Sequence, residues 1–361
     1  MKEKEKQLFK ALCKFKEKTM DKSLIEFATP AVLGHLFINR MYGIAYDTLK
    51  KNNLLGMVNR EFRNSLTVAY EQNLQKNISF YKCVAMLSDI LSNCNCKVAM
   101  LKGAYLCSHY PDGYRTSNDV DLLVMPEDIT TIGKLLVRSG FNQGYISNGE
   151  FVSATRQEII ASRVMRGETV PYIKEVNLPS MRFFEVDINF SLDYKNGNTD
   201  ILSNMLSNVC IRGEHELLLP TLSSTDFFIH LCAHLYKEAT TLPWIQMHRD
   251  MTLYKYCDIY LLLSEMSDYD IQTVFDRAIE FGMEKICAYA VLETMGLFDI
   301  ENKTAYSNAI SAIADEPDFC LKITSPSDKK SFIYKTADVN KRFFMESRSK
   351  DLKEVPGYEK A

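Results

Sequence analysis

The stretch LKGAYLCSHYPDGYRTSNDVDLLV, from Leu101 to Val124, decides the fold. It places Lys102 and Gly103 after a short apolar run, and Asp119 and Asp121 directly before another. Each apolar run predicts a buried strand, and the segment between them predicts a short helix followed by a loop with a Pro-Asp-Gly turn. Because successive strand side chains point to opposite faces, Asp119 and Asp121 share one face.

The rest of the chain predicts helices on both sides of a small sheet. Apolar residues recur at helical spacing up to about residue 95 and again after about residue 220, whereas strand and helix patterns mix between them. We therefore predict an α+β fold in which N-terminal and C-terminal helical regions flank a small mixed sheet. The predicted boundaries are a helical region at 1–95, an α/β core at 96–215, a helical domain at 216–345 and a flexible tail at 346–361.

Composition limits the function classes. The net charge of −3 gives no sign of a strongly basic nucleic-acid surface. No run approaches the roughly 18 apolar residues of a membrane-spanning helix, and the first residues lack the apolar segment of a signal peptide. The ten cysteines lie singly in apolar stretches or as one Cys-x-Cys pair, which is typical of free thiols. We expect a cytoplasmic protein without a membrane partner.

The shared face of Asp119 and Asp121 predicts a cation. Two neighbouring carboxylates cannot both stay ionised cheaply without a counter-charge, and Mg²⁺ or Mn²⁺ prefers such hard oxygen ligands. The stretch RFFEVDINF predicts another strand, in which Asp187 shares a face with Glu185 and Asn189. If the two strands are neighbours, three carboxylates converge and could hold two metal ions for an in-line phosphoryl displacement.

Asp-x-Asp alone is a weak pattern. Asp268 and Asp270 repeat it where a helix should begin, and there capping of the helix explains it. The acids along one face of the strand RFFEVDINF could likewise simply be solvent-exposed. The neighbours of Asp119 and Asp121 favour a site, because Gly103 can start a helix that binds phosphate through backbone N–H groups, with Lys102 and Arg115 adding positive charge.

Lys102-Gly103, Arg115, the Asp-Val-Asp-Leu-Leu-Val run and the later Phe-Glu-Val-Asp-Ile-Asn-Phe strand together resemble a known family. They are similar to the uncharacterised bacterial nucleotidyltransferase family of the DNA polymerase beta-like nucleotidyltransferase superfamily, over about residues 25 to 270. The resemblance implies a nucleotidyltransferase core in which Asp119, Asp121 and Asp187 are the metal ligands and catalytic residues. It further implies a nucleotide-binding set: Lys102, Gly103, Arg115, Asn118 and His234.

The chain departs from the superfamily at Ala104, where a serine usually follows the glycine. Lys102, Arg115 or Asn118 would then have to compensate for the missing hydroxyl. His234 is included because the resemblance implies that the C-terminal helices flank the nucleotide or acceptor pocket. On its own residues, the His230/His234 pair lies four apart and could bind zinc, but it lacks an adjacent glutamate, so satisfied core or cleft histidines are favoured.

The leading hypothesis is transfer of NMP from an NTP such as ATP to a hydroxyl of an unknown acceptor, with Mg²⁺ or Mn²⁺ as cofactor and release of pyrophosphate. The acceptor could be a small molecule, a peptide or a protein, and the acidic balance disfavours a long nucleic acid. One alternative is a non-catalytic nucleotide-binding or scaffold protein on the same fold. Another is a glycosyltransferase that uses Asp-x-Asp, which the long helical stretch before the motif disfavours.

Overall fold

The computed structural model describes residues 1–16, 19–92, 94–165, 167–192, 199–214 and 217–357. Its helices are α1 (Glu3–Cys13), α2 (Pro30–Ile38), α3 (Tyr42–Lys51), α4 (Arg60–Leu91), α5 (Gly103–Leu106), α6 (Ile129–Arg138), α7 (Arg156–Met165), α8 (Thr199–Ser207), α9 (Ser224–Ala239), α10 (Leu242–Gln246), α11 (Leu253–Glu265), α12 (Asp268–Phe281), α13 (Glu284–Phe298), α14 (Lys303–Ala312) and α15 (Val339–Phe343). Its strands are β1 (Val98–Met100), β2 (Asp119–Val124), β3 (Asn142–Ser147), β4 (Glu150–Ser153), β5 (Tyr172–Leu178), β6 (Met181–Asn189), β7 (Cys210–Glu214), β8 (Leu217–Thr221), β9 (Lys322–Ser325), β10 (Lys330–Tyr334) and β11 (Leu352–Val355).

The central sheet has six strands in the order β1-β2-β6-β5-β3-β4. It is mixed, because β2 runs parallel to β6 whereas β1 pairs with β2, and β5 with β6, in antiparallel fashion. The predicted strands around 98, 119 and 172–189 are all present, which confirms the α+β class. The β3–β4 hairpin was not predicted, since its strands are short and largely exposed.

One face of this sheet carries the core of its unit. Val120, Leu122 and Val124 alternate with the acids of β2 and are fully buried. They pack with Val186 and Ile188 of β6 and with apolar residues of α4 and α6. The period-2 alternation of both strands thus buries one face and leaves the other for polar side chains.

Two compact units divide the chain differently from the predicted regions. One unit consists of Met1–Leu66 with Phe228–Ala361, and the other of Thr67–Phe227. The first boundary falls inside α4, so most of this helix belongs with the sheet rather than with an N-terminal region ending at 95. Periodicity predicts that a long helix exists but cannot say which core each of its turns joins.

The region predicted as a flexible tail also differs from the expectation. Arg348 is buried. In addition, β11 pairs with β10 in a three-stranded sheet, which falls partly in the predicted helical domain and partly in the predicted tail. Residues 358–361 lie outside the described residues. All ten cysteines are free, as predicted. In the described part of the chain, every helix is too short or too polar to span a membrane.

Candidate functional site

The parallel register of β2 and β6 brings the predicted carboxylates together. Asp121 pairs with Asp187, and Asp119 pairs with Glu185 at the preceding position. Neighbouring strands lie about 4.8 Å apart, so the four acids form two adjacent cross-strand pairs on one face. Asp119 is exposed and Asp121 is buried, so the group extends from the surface into the unit.

Crowding of negative charge shows in the pKa of two of these acids. Burial raises the pKa of Asp187 well above its usual value, and the charges of Asp121, Asp119 and Glu168 raise it further. Burial and the charge of Asp119 also raise the pKa of Glu185. A site that holds so many carboxylates close together favours a positively charged ligand.

Lys102 supplies a positive charge at Asp121. Its Nζ donates a hydrogen bond of 2.9 Å to Oδ1 of Asp121, and Asn189 Nδ2 donates to the same oxygen at 3.2 Å. The backbone delivers Lys102 to this place, since the Leu101 N–H donates to the Asp121 carbonyl at 2.9 Å and Lys102 then turns at a φ of +46°. A lysine in this left-handed conformation is uncommon and is often found at functional sites.

Asp119, Asp121 and Asp187 could hold a divalent cation at this face through their carboxylate oxygens. As the side chains lie, however, no group of three or more His, Cys, Asp and Glu residues within the described ranges is arranged to hold a metal ion. The Lys102 ammonium is bonded to Asp121. A cation that bound here would therefore have to displace this ammonium or share the carboxylate with it.

The short helix predicted after β1 is present. The helix that begins at Gly103 has only four residues, so its dipole is too small to make it an anion site by itself. Gly103 lies instead against the loop before β2: a Cβ at this position would lie 2.9 Å from Ser117 Cβ and 3.2 Å from Arg115 Nη1. Close approach of that loop is thus the physical reason for the glycine.

Arg115 is fixed by its neighbours. Its Nη1 donates a hydrogen bond of 2.5 Å to Ser117 Oγ, which also accepts from Cys107 Sγ at 3.2 Å. Ser117 is buried, with 4% of its surface exposed. Ser117 was not among the sequence-predicted site residues, because nothing in a single sequence marks a serine as the partner of an arginine two residues away.

Two buried asparagines of α4 hold the same loop. Asn73 Nδ2 donates to the Gly113 carbonyl at 2.7 Å, and the Gly113 N–H donates to Asn77 Oδ1 at 2.9 Å. Asn77 Nδ2 donates to the Arg115 carbonyl at 2.9 Å, and Thr116 Oγ1 donates to Asn73 Oδ1 at 2.8 Å. We call this set of bonds, formed by Asn73 and Asn77 with residues 113–116, the asparagine clamp. Sequence reasoning missed it, although two asparagines four apart on an apolar helix face are an unusual pattern that could have drawn notice.

Two further predicted site residues, Asn118 and His234, lie on different compact units. Asn118 is exposed and directly precedes β2. His234 lies on α9 in the other compact unit, where its Nε2 is 3.6 Å from Glu238 Oε1. His230 is buried on the same helix.

Comparison with known proteins identifies the family of the chain. A family model described as uncharacterised nucleotidyltransferase matches residues 31–299. The chain belongs to this nucleotidyltransferase family. A solved structure of an antigenic nucleotidyltransferase-like protein from Paracoccidioides brasiliensis is similar at 14% identity and a TM-score of 0.34, covering 58% of this chain and 88% of that one. No match was found among curated proteins.

Proposed function

We propose that the protein is a metal-dependent nucleotidyltransferase that moves NMP from an NTP to a hydroxyl of an acceptor and releases pyrophosphate. The observation that carries this proposal is the register of β2 and β6, which sets Asp121 opposite Asp187 with Asp119 on the same face. Family membership supports nucleotidyl transfer ahead of sugar transfer.

The residues present fit Mg²⁺ or Mn²⁺. Asp119, Asp121 and Asp187 offer hard oxygen donors. Burial raises the pKa of Asp187, and the charges of Asp121 and Asp119, which a cation would offset, raise it further. When bound, the cations would polarise the reacting phosphate and neutralise the charge on the departing pyrophosphate.

The chain's own side chains would bind and orient the reactants. Arg115 has a planar guanidinium that can bind two phosphate oxygens at once, and Lys102 is a second cation beside the acids. Asp187 lies beside Asp121 at the partly covered end of the acid group and would orient the acceptor hydroxyl and take up its proton.

Label transfer tests the proposal without knowledge of the acceptor. The protein is incubated with Mg²⁺, a cell extract and each NTP labelled on the α-phosphate, and the same NTP labelled on the γ-phosphate serves as the comparison. We expect a product that carries only the α-label, lost in Asp121→Asn and Asp187→Asn. Asp268→Asn is the matched control, because it alters the other Asp-x-Asp pair at the start of α12. Equal labelling by the wild-type protein and both site variants would rule this site out.

Nucleotide binding without transfer is the second candidate. The Lys102–Asp121 bond favours it, because this ammonium neutralises one of the expected metal ligands. Stabilisation of the protein by an NTP, with no α-label transferred and no dependence on Mg²⁺, would support this candidate. A ligand at a hundred times its Kd adds about 2.7 kcal/mol to the free energy of unfolding, so a denaturation assay can detect it.

A further inference from the structure

We infer that Asn73, Asn77 and Ser117 are positioning residues that hold the Arg115 guanidinium ready for the phosphates of a nucleotide. This inference rests on the proposed function and adds to it the residues that fix the position of the arginine proposed to bind phosphate. It concerns only the unit that contains the six-stranded sheet.

The arginine is held from both of its ends. At the side chain, Nη1 donates to Ser117 Oγ, and at the backbone its carbonyl accepts from Asn77 Nδ2. An unrestrained arginine loses much rotamer freedom when it binds an anion, so fixing it beforehand raises affinity for the ligand. These two bonds thus fix the Arg115 guanidinium before a phosphate binds.

The asparagine clamp fixes the loop that carries the arginine. Gly113 has both of its backbone hydrogen-bonding groups bonded to asparagine side chains, and its φ of +83° belongs to the region that favours glycine. Both asparagines are buried, with 3% and 4% of their surfaces exposed. Buried amides are costly unless they are bonded, so the clamp has one well-defined arrangement and transmits it to residues 115–117.

Ser117 acts through Arg115 rather than on the ligand. Its hydroxyl accepts hydrogen bonds from Arg115 Nη1 and from Cys107 Sγ, and the buried residue lies close to Gly103. A phosphate that meets the exposed part of Arg115 does not need to reach Ser117. The two residues should therefore affect nucleotide affinity through one shared effect.

A double-mutant cycle tests this coupling. Dissociation constants are measured by calorimetry with Mg²⁺ for the tightest-binding of ATP, GTP, CTP and UTP, and for the corresponding nucleoside, in Ser117→Ala, Arg115→Ala and the double variant. We expect Ser117→Ala to weaken the triphosphate about fivefold and Arg115→Ala about tenfold or more, with the double variant no weaker than Arg115→Ala. The affinity for the nucleoside should not change.

Asn77→Asp tests the clamp itself. It keeps the oxygen that accepts from Gly113 N–H and removes the donor to the Arg115 carbonyl, so we expect a severalfold loss for the triphosphate alone. Ser108→Ala is the matched control, because its hydroxyl bonds the Tyr105 carbonyl outside the clamp. Thermal midpoints of all variants show whether the fold is retained.

The outcomes distinguish failure of the positioning role from failure of the proposed function. An equal loss from Ser117→Ala in the wild-type and Arg115→Ala backgrounds would overturn the positioning role, as would no loss in either background. A loss of nucleoside and triphosphate affinity alike would also overturn it, because that is the effect of a general structural defect. A wild-type protein that binds none of the four triphosphates would overturn the proposed function and this inference with it.

Discussion

Asp121 of β2 lies directly opposite Asp187 of β6, with no residue between them in the parallel register. Strand pairing holds these acidic groups together, and burial together with the acidic neighbours raises the pKa of Asp187. Such an arrangement lowers the stability of the folded chain. Proteins keep destabilising groups of this kind mainly where function needs them.

Asp187→Asn should therefore stabilise the cation-free protein while abolishing transfer. The amide has the shape of the carboxylate but removes a repelled charge, so we expect the free energy of unfolding at pH 7 to rise by about 1 kcal/mol. Urea denaturation in EDTA measures this change. The sign should reverse in the presence of Mg²⁺ and NTP, because only the wild-type protein gains stability from the bound ligand.

A loss of stability in EDTA would contradict the electrostatic argument. Leu122→Ala is a useful reference, because it removes a fully buried apolar side chain from the opposite face of β2. It should destabilise the protein by about 2–5 kcal/mol with or without ligand. The two substitutions thus separate the acidic face from the core face of one sheet.

Gly103→Ala should damage both stability and nucleotide binding. The new Cβ would press against Ser117 and the Arg115 guanidinium, and relief of that contact moves the arginine. We expect a loss of about 1–3 kcal/mol and weaker triphosphate binding. Gly34→Ala is the matched control, since the same substitution in the middle of α2 meets open space and should stabilise the protein by about 0.5–1 kcal/mol. Equal effects of the two would show that the loop does not press on Gly103.

The sequence predicted those parts of the fold that depend on short-range pattern. Alternation in β2 and β6 placed Asp119, Asp121 and Asp187 on the polar face. The second Asp-x-Asp pair was expected at a helix start, and Asp270 does complete a capping box with Ser267.

Contacts between distant residues could not be predicted in the same way. The clamp joins Asn73 to Gly113 across 40 residues, and β11 joins the last sheet from a segment that reads as polar and loose. Polarity marks a segment as exposed only if its charged groups find no buried partner. The buried partner of Arg348 is Asp250, and no local sequence pattern predicts that pairing.

Arg348→Ala should accordingly lower the free energy of unfolding of its unit by a large amount. Its Nε and Nη2 donate to the two oxygens of Asp250 at 2.6 Å each, and Asp250 is fully buried. Removal of the arginine leaves a buried carboxylate without its partner, which costs about 3–5 kcal/mol. Arg182→Ala is the control, because its bidentate pair with Glu150 is exposed and should cost about 1 kcal/mol or less. Similar losses in chemical denaturation would show that Arg348 belongs to a loose tail after all.

Lys102→Met should change the binding of cations and of nucleotides in opposite directions. The Lys102 ammonium bonds Asp121, so its loss makes the acid group more negative by one charge and removes the ammonium that competes with a metal ion for this carboxylate. We expect the nucleotide-free variant to bind Mn²⁺ several times more tightly, and to bind the triphosphate more weakly because a phosphate partner is lost. Titration with Mn²⁺ followed by electron paramagnetic resonance, and calorimetry with the triphosphate, measure the two effects. Lys174→Met is the control, since that ammonium donates to the Ser139 carbonyl away from the acids. Weaker Mn²⁺ binding in Lys102→Met than in this control would mean that the lysine does not compete with a cation at Asp121.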